Sequence, residues 1–94
     1  MYELKNWSVG PSNPFAAPEV VAYLAYGNVF ENPRFKDGTY IHTSRIMNVV
    51  DCGEYKEIHT MNSVYIVRPE TVDPDYEAEY PKAYVHLSMT GWVK

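Results

Sequence analysis

The sequence predicts a mainly β protein, either a small antiparallel barrel or a strongly twisted sheet of SH3-like size, with an extended N-terminal arm and at most one short helix. Short segments rich in Val, Ile and Tyr recur along the 94 residues, and Asn-Pro, Asp-Gly and Cys-Gly turns separate them. Long runs with the period of an amphipathic helix are missing. These observations together favour a single sheet built from hairpins.

The first 18 residues are predicted to form an extended arm, because "GPSNPFAAP" at 10–18 contains three prolines, which do not fit inside a helix. Residues 19–94 then form a single small β domain. Its first strand is expected in "VVAYLAYGNVFE" from Val20 onward, with Gly27 at the place of a bulge or bend.

The middle of the chain predicts a meander of hairpins. The loop "NPRFKDG" at 32–38 leads to "TYIHTSRIMNVVD" at 39–51, which is too long for one flat strand and is expected to bend near residues 44 and 45. The segment "CGE" at 52–54 is typical of a hairpin turn, and "MNS" at 61–63 separates two further strands.

The last part of the chain begins with an acidic segment that lacks the alternation of a strand. In "ETVDPDYEAEYP" at 70–81, Asp73 precedes Pro74 and is expected to cap one or two helical turns. The segment "KAYVHLSM" at 82–89 is then predicted to be the last strand.

Composition excludes several classes of protein. A net charge of −4, a pI of about 5.2 and the absence of any basic run disfavour a nucleic-acid binder. Cys52 is the only cysteine, so an intramolecular disulfide and a zinc site with several cysteines are both impossible. No signal-peptide pattern and no apolar run of roughly 18 to 20 residues is present, which predicts a cytoplasmic protein without a membrane contact.

Aromatic residues are abundant for a chain of this length, with nine Tyr, two Trp and three Phe. Such side chains are favoured at interfaces, where a ring is buried and a polar tip stays hydrated. A core this small also gains from association. We therefore expect a homo-oligomer in which Trp7 or Trp92 is buried across the interface.

The three histidines, His42, His59 and His86, stand in similar phrases, "YIHTS", "EIHTM" and "YVHLS". Alternation along a strand explains them, because each follows a β-branched residue that points to the other face. Convergence of all three on zinc would require neighbouring strands in matching register, and no H-E-x-x-H motif fixes two ligands locally. No metal or cofactor is predicted, while contact of one histidine with a ligand remains an alternative.

Catalytic groups are not evident either. Cys52 stands beside Gly53 in the expected turn, without a cationic neighbour in sequence to activate the thiol. The carboxylates between Asp73 and Glu79 resemble a solvated acidic face, and no glycine-rich phosphate loop exists. The sequence therefore predicts a protein that is not an enzyme.

The densest polar constellation is "NPRFKDGTYIHTSR" at 32–45. It combines two guanidinium groups, hydroxyl groups and aromatic rings with turn residues, a set that suits an anionic and partly planar ligand. A corner of loop and strand held by arginine contacts to backbone carbonyls is the structural alternative. The predicted ligand-binding residues are Arg34, Phe35, Tyr40, Thr43, Ser44 and Arg45.

The segment "GNVFENPRFKDGTYIHTSRI" resembles a pattern, NPRFxDGTxIxTS at its centre, of small uncharacterised proteins of phages and mobile elements in gut-type bacteria. The resemblance covers about residues 26–67. It implies no activity, but it implies a context: short phage proteins often act stoichiometrically in the host cytoplasm, as inhibitors of defence proteins or as sponges for nucleotide immune signals.

Two functional hypotheses follow. The first is a non-enzymatic protein that sequesters a small anionic, nucleotide-like ligand to counter host defence, with the 32–45 constellation at a subunit boundary. The second is a protein-interaction module that inhibits a host defence protein through its aromatic and acidic surface. The first depends on Arg34 and Arg45, and the second on the carboxylates from Asp73 to Glu79.

Overall fold

The structure is a computed structural model that describes residues 1–12 and 22–87. These residues form six strands, one 3₁₀ turn and one short helix. In chain order they are β1 (Tyr2–Pro11), β2 (Tyr23–Phe30), β3 (Thr39–His42), β4 (Ile46–Asp51), β5 (Lys56–Thr60), β6 (Val64–Val67), the 3₁₀ turn (Pro69–Thr71) and α1 (Pro74–Glu79). Among the described residues, no helix is long and apolar enough to cross a bilayer.

The strands form one mixed sheet in the order β3-β2-β1-β6-β5-β4. The neighbours pair antiparallel except β1 and β6, which run parallel with Tyr2 opposite Tyr65 and Glu3 opposite Ile66. The prediction of a mainly β fold with one short helix is confirmed, whereas the antiparallel barrel is wrong because the sheet is mixed and not closed. A parallel pair needs a long connection between its strands, and β2 to β5 supply it here because they all lie between β1 and β6 along the chain.

The first strand corrects the predicted N-terminal arm. Tyr2–Pro11 lies inside the sheet, between β2 and β6, rather than outside a domain that starts at residue 19. Its buried residues Leu4, Trp7 and Val9 do not keep the two-residue period, because the register with β2 shifts between Lys5 and Ser8. A β-bulge therefore hides the strand pattern in the sequence.

Trp7 lies in the core of a single chain, which overturns its predicted place at an interface between subunits. Its side chain is fully buried, and its indole Nε1 donates a 2.8 Å hydrogen bond to the carbonyl of Arg68. The rings of Tyr76 and Tyr84 pack edge-on against the indole. Trp92 lies outside the described residues, and the homo-oligomer stays a prediction.

Gly27 of β2 allows the bulged part of β1 to approach closely. A Cβ atom at this position would lie 2.9 Å from the carbonyl oxygen of Lys5 and 3.2 Å from the Cα of Trp7. The bulge expected near Gly27 is thus on the neighbouring strand, and the glycine is the residue that accommodates it.

The predicted bend in residues 39–51 is confirmed. The segment forms β3 at one edge of the sheet and β4 at the opposite edge, with the break at residues 43–45. On one side of the break the Thr43 amide donates to the Ala25 carbonyl over 2.9 Å, and on the other the Met61 amide donates to the Arg45 carbonyl over 3.1 Å. The bend therefore brings the two edges of the curved sheet close to each other.

The end of the described chain covers one side of the sheet. Asp73 caps α1 as predicted, and its carboxylate accepts a 2.9 Å hydrogen bond from the Asp75 amide. The strand predicted at 82–89 is wrong for residues 82–87, which form turns, and residues 88 and 89 lie outside the described part. Pro81 and the positive φ of Lys82 (61°) prevent an extended run there.

The core lies between the sheet and this C-terminal segment. Tyr76 from α1, with Ala83 and Leu87 from the turns, joins the buried apolar residues of the strands. The other end of the same side of the sheet, near Tyr65 and Ile41, opens into a cleft.

Candidate functional site

A cleft of about 110 Å³ lies where the two edges of the sheet approach each other. Three segments form its walls: the loop between β2 and β3, the end of β3 with the following bend, and the turn between β5 and β6 with the start of β6. Its apolar wall consists of Phe35, Ile41 and Tyr65. Its polar residues are Arg34, His42, Thr43, Ser44, Asn62 and Ser63.

None of the nine lining residues is an Asp or a Glu. The whole chain, in contrast, has 12 acidic residues against 8 Lys and Arg. Hydroxyl, amide, imidazole and guanidinium groups can all donate hydrogen bonds, and only a guanidinium is charged at every accessible pH. The chemistry of the cleft therefore favours an anion over a cation.

The loop that carries Arg34 and Phe35 is held by its own hydrogen bonds. Asn32 is buried, its Oδ1 accepts from the Arg34 amide over 3.0 Å, and its carbonyl accepts from the Phe35 amide over 3.0 Å. A further bond links the two ends of the loop, in which the Asp37 carboxylate accepts from the Glu31 amide over 2.9 Å. These bonds give Arg34 and Phe35 a defined backbone position at the rim of the cleft.

The turn back into β3 depends on Gly38, which has a φ of +88°. Its amide donates to the Val29 carbonyl over 2.8 Å, and its carbonyl accepts from the Asn28 side chain over 2.9 Å. Glycine adopts this left-handed conformation without strain, so the Asp-Gly signal in the sequence has a direct structural role.

Arg34 is exposed, and within the described residues no hydrogen bond or ion pair engages its guanidinium group. Arg68, by comparison, pairs with Glu3 at 3.4 Å between Nε and Oε2. Arg45 is also exposed but does not line the cleft; its carbonyl binds the Met61 amide. The structure therefore brings one of the two predicted arginines to the cleft.

Thr43 and Ser44 line the cleft in different ways. Thr43 is buried, and its Oγ1 accepts from the Ala25 amide over 3.0 Å while donating to the Ser44 carbonyl over 2.7 Å. Its hydroxyl therefore holds the bend together. Ser44 Oγ accepts a 3.2 Å bond from the Asn62 amide, which leaves the hydroxyl hydrogen available to a ligand.

Tyr40 does not line the cleft, although it was predicted to bind the ligand with the residues around it. It projects from β3 opposite Asn28 and is 57% exposed. Partial burial, and then the proximity of Tyr40, raises the pKa of Tyr26 on the neighbouring strand. The ring of Tyr26 also contacts that of His42, at 6.3 Å between centroids.

The histidines are dispersed. His42 contributes to the cleft, and His59 bonds to Glu57 over 2.8 Å between Nε2 and Oε1. His86 lies in the C-terminal turns, not in the predicted strand. Among residues 1–12 and 22–87, no group of three His, Cys, Asp or Glu side chains is arranged to hold a metal ion.

Cys52 is exposed in the turn between β4 and β5. Partial desolvation, followed by the charge of Glu57, raises the pKa of its thiol, which disfavours the thiolate that nucleophilic catalysis needs.

The acidic segment has a structural role in part. Asp73 caps α1, and the two carboxylate oxygens of Glu77 accept bonds from the amides of Lys82 (2.7 Å) and Ala83 (3.2 Å). Glu77 thus fastens the C-terminal turns to the helix. Asp73 and Glu77 are therefore two carboxylates of the acidic segment that bind backbone amides of the protein itself.

Sequence reasoning did not find His42, Asn62, Ser63 or Tyr65 as lining residues. The "MNS" turn carries no anion-binding motif, and it reaches the cleft only because the bend at residues 43–45 pairs with it. No family model matches this chain, and neither a curated protein nor a solved structure shows significant similarity to it.

Proposed function

We propose that this protein reversibly binds a small anionic, nucleotide-like ligand in the cleft and does not change it chemically. The observation that carries this proposal is the guanidinium group of Arg34, which has no ionic partner among the described residues and stands at the rim of a cleft without carboxylates. A guanidinium group binds phosphate or carboxylate through two parallel hydrogen bonds.

Preorganisation of the loop supports binding. The hydrogen bonds of Asn32 hold the backbone of Arg34 and Phe35 in place before any ligand arrives. The entropic cost of ordering that backbone is then not subtracted from the binding free energy. Arg34 still has to order its own side chain, which is exposed.

The neighbouring aromatic ring supports a planar ligand. Phe35 is 37% exposed and lines the same cleft as Arg34. A ring with an open face stacks on a nucleobase, and such stacking contributes about 1 to 3 kcal/mol per base in single-stranded nucleic-acid sites. Arg34 and Phe35 together suit a ligand with both a charge and a ring.

Sequestration rather than catalysis is the role we assign to this site. The lining residues include neither a carboxylate nor a cysteine, and the only cysteine lies in a different turn with a raised pKa of its thiol. The resemblance of residues 26–67 to small phage proteins supports action against host defence in the bacterial cytoplasm.

Calorimetric titration with inorganic phosphate and with nucleotides tests the proposal. We expect Arg34→Ala to weaken binding about 10-fold to 100-fold, since a charge-assisted hydrogen bond contributes about 1.5 to 3 kcal/mol. Arg45→Ala is the matched control, because Arg45 is also exposed but lies outside the lining of the cleft. Mass spectrometry of the recovered ligand should show it unchanged.

Absence of binding by the wild type would overturn the proposal and favour inhibition of a host protein instead. If the wild type and Arg34→Ala bind the anion with equal affinity, the anion does not bind in the cleft beside Arg34. The carboxylates of Asp75 and Glu79, which are exposed on α1, would then be the first residues to substitute in an interaction assay.

A further inference from the structure

We infer that the cleft accepts the terminal phosphate of a small phosphomonoester and discriminates against a phosphodiester that is closed into a ring. This inference rests on the proposed function, because it specifies the chemical class of the anion bound at the same site.

The size of the cleft is the first reason. Sites that enclose a whole drug-sized ligand have volumes of about 300 to 1,000 Å³. The volume here is about 110 Å³, so the cleft holds one functional group of a ligand while the remainder stays outside. A phosphate at the end of a ligand can enter such a cleft alone. A phosphate that is part of a ring can enter only if the cleft also has room for the ring.

The walls oppose widening of the cleft. The Thr43 hydroxyl bonds the Ala25 amide and the Ser44 carbonyl, and Thr43 itself is only 3% exposed. The backbone amide of Asn62, in the β5–β6 turn, donates a 3.2 Å hydrogen bond to Ser44 Oγ. A second bond, from the Met61 amide to the Arg45 carbonyl, also joins the bend to the β5–β6 turn. Widening the cleft between these segments to admit a ring would break both bonds.

The donor groups match a terminal phosphate. Arg34, Ser44 and Asn62 line the cleft, and their guanidinium, hydroxyl and side-chain amide groups can all donate hydrogen bonds. A terminal phosphate offers three acceptor oxygens and carries a charge between about −1.5 and −2 at neutral pH. A cyclic phosphodiester has only two unsubstituted oxygens and a single charge, so it uses fewer of these donors.

Phe35 is placed to contact what stays outside. Phe35 lines the cleft together with Arg34, and the residue is 37% exposed. The ligand is therefore bound end-on, with its phosphate in the cleft and a planar group beside the ring. A nucleoside monophosphate is the simplest molecule with this arrangement.

The test compares adenosine monophosphate, cyclic adenosine monophosphate and adenosine by calorimetry. These probes share the same base and differ in the phosphate. We expect adenosine monophosphate to bind at least about 10-fold more tightly than the cyclic compound, a difference of about 1.4 kcal/mol. Adenosine should bind more weakly still. Phosphoserine and ribose phosphate, added as further arms, show whether the phosphomonoester must carry a base.

Two variants of lining residues and one control variant assign the effect to the cleft. Arg34→Gln should reduce the preference for the monoester over the cyclic compound, and Arg45→Gln should leave it unchanged. Asn62→Ala, on an exposed turn, should weaken adenosine monophosphate more than adenosine. Circular dichroism and the melting temperature check that each variant is folded.

The outcomes separate this inference from the proposed function. If the cyclic compound binds as tightly as adenosine monophosphate and Arg34→Gln weakens both, the cleft binds anions but the inference is wrong. If inorganic phosphate and all nucleotides fail to bind, the proposed function is wrong and the inference fails with it.

Discussion

The ammonium group of Lys56 donates a 2.6 Å hydrogen bond to the carbonyl of Tyr84 and lies 4.7 Å from the centre of the Tyr84 ring. Lys56 is only 6% exposed, and its amine also lies 3.4 Å from the carbonyl of Val85. A lysine of β5 thus fastens the C-terminal turns to the sheet, although lysines are rarely buried without such partners.

Replacement of Lys56 by methionine should destabilise the protein. Methionine retains a long apolar side chain but removes the charged donor to the carbonyl of Tyr84, which keeps the 3.3 Å bond from the Leu87 amide. We expect a loss of about 1.5 to 3 kcal/mol in the free energy of unfolding. Urea denaturation followed by circular dichroism measures it. Lys36→Met, at an exposed lysine of the β2–β3 loop, is the control and should change little. Equal midpoints for both variants would contradict a stabilising role of Lys56.

Replacement of Gly27 by alanine should also be destabilising. The added Cβ would lie 2.9 Å from the Lys5 carbonyl oxygen, which belongs to the backbone of β1, paired with β2 on one side and β6 on the other. Overpacking of this kind costs about 1 to 3 kcal/mol. Gly10→Ala is the matched control, because its Cβ would meet only a Tyr26 ring carbon, at 3.9 Å. A thermal melt in which both variants behave alike would refute the close approach.

Replacement of Asp73 by alanine should loosen the start of α1. The carboxylate that accepts from the Asp75 amide is lost, at a cost of about 0.5 to 2 kcal/mol for an N-cap. Asp75→Ala, which removes an exposed carboxylate without removing the cap, should have a smaller effect. Hydrogen exchange of the α1 amides would detect the loosening, and unchanged exchange in Asp73→Ala would show that the cap contributes nothing.

Stability should fall as the pH rises above about 10, where an unperturbed tyrosine ionises. Partial burial, then Tyr40, raises the pKa of Tyr26 in the folded protein. The unfolded chain therefore loses the phenol proton at a lower pH than the folded protein does. The stabilisation is fully present below the ordinary tyrosine pKa and is lost as the pH rises through the raised value.

Tyr26→Phe removes this titration and should make the decline of stability with pH less steep. The variant also loses the 3.3 Å hydrogen bond to the Pro11 carbonyl. The change of stability with pH is therefore measured, for each protein, relative to its own stability at neutral pH. Guanidinium denaturation at a series of pH values measures the slope. Tyr40→Phe should change the slope less, since Tyr40 is 57% exposed. A slope unaltered in Tyr26→Phe would contradict the assignment.

Local signals in the sequence predicted the elements that depend on neighbouring residues. Asp73 and Pro74 marked the helix start, and the bend in residues 39–51 followed from the length of the segment. Such features are determined within a few residues, so a single sequence reveals them.

Long-range features were not predictable in the same way. The first strand was assigned to an arm because of the three prolines at 10–18, and its bulge interrupts the alternation around Trp7 that would have indicated a strand. Four residues that the sequence marked as ligand-binding, Arg34, Phe35, Thr43 and Ser44, line the cleft. Asn62, Ser63 and Tyr65 line it as well, and only the tertiary fold brings them near. Pairings between distant segments leave no periodic pattern in one sequence.

The parallel pairing of β1 with β6 has a consequence for the order of events during synthesis on the ribosome. The first strand to emerge lies between two neighbours, yet one of them, with Tyr65 opposite Tyr2, is the last strand of the sheet to be made. Until β6 emerges, β1 pairs only with β2 and exposes a hydrogen-bonding edge to other nascent chains. Closing so long a stretch of chain also costs entropy before the pairing repays it, so this final docking is expected to limit the folding rate.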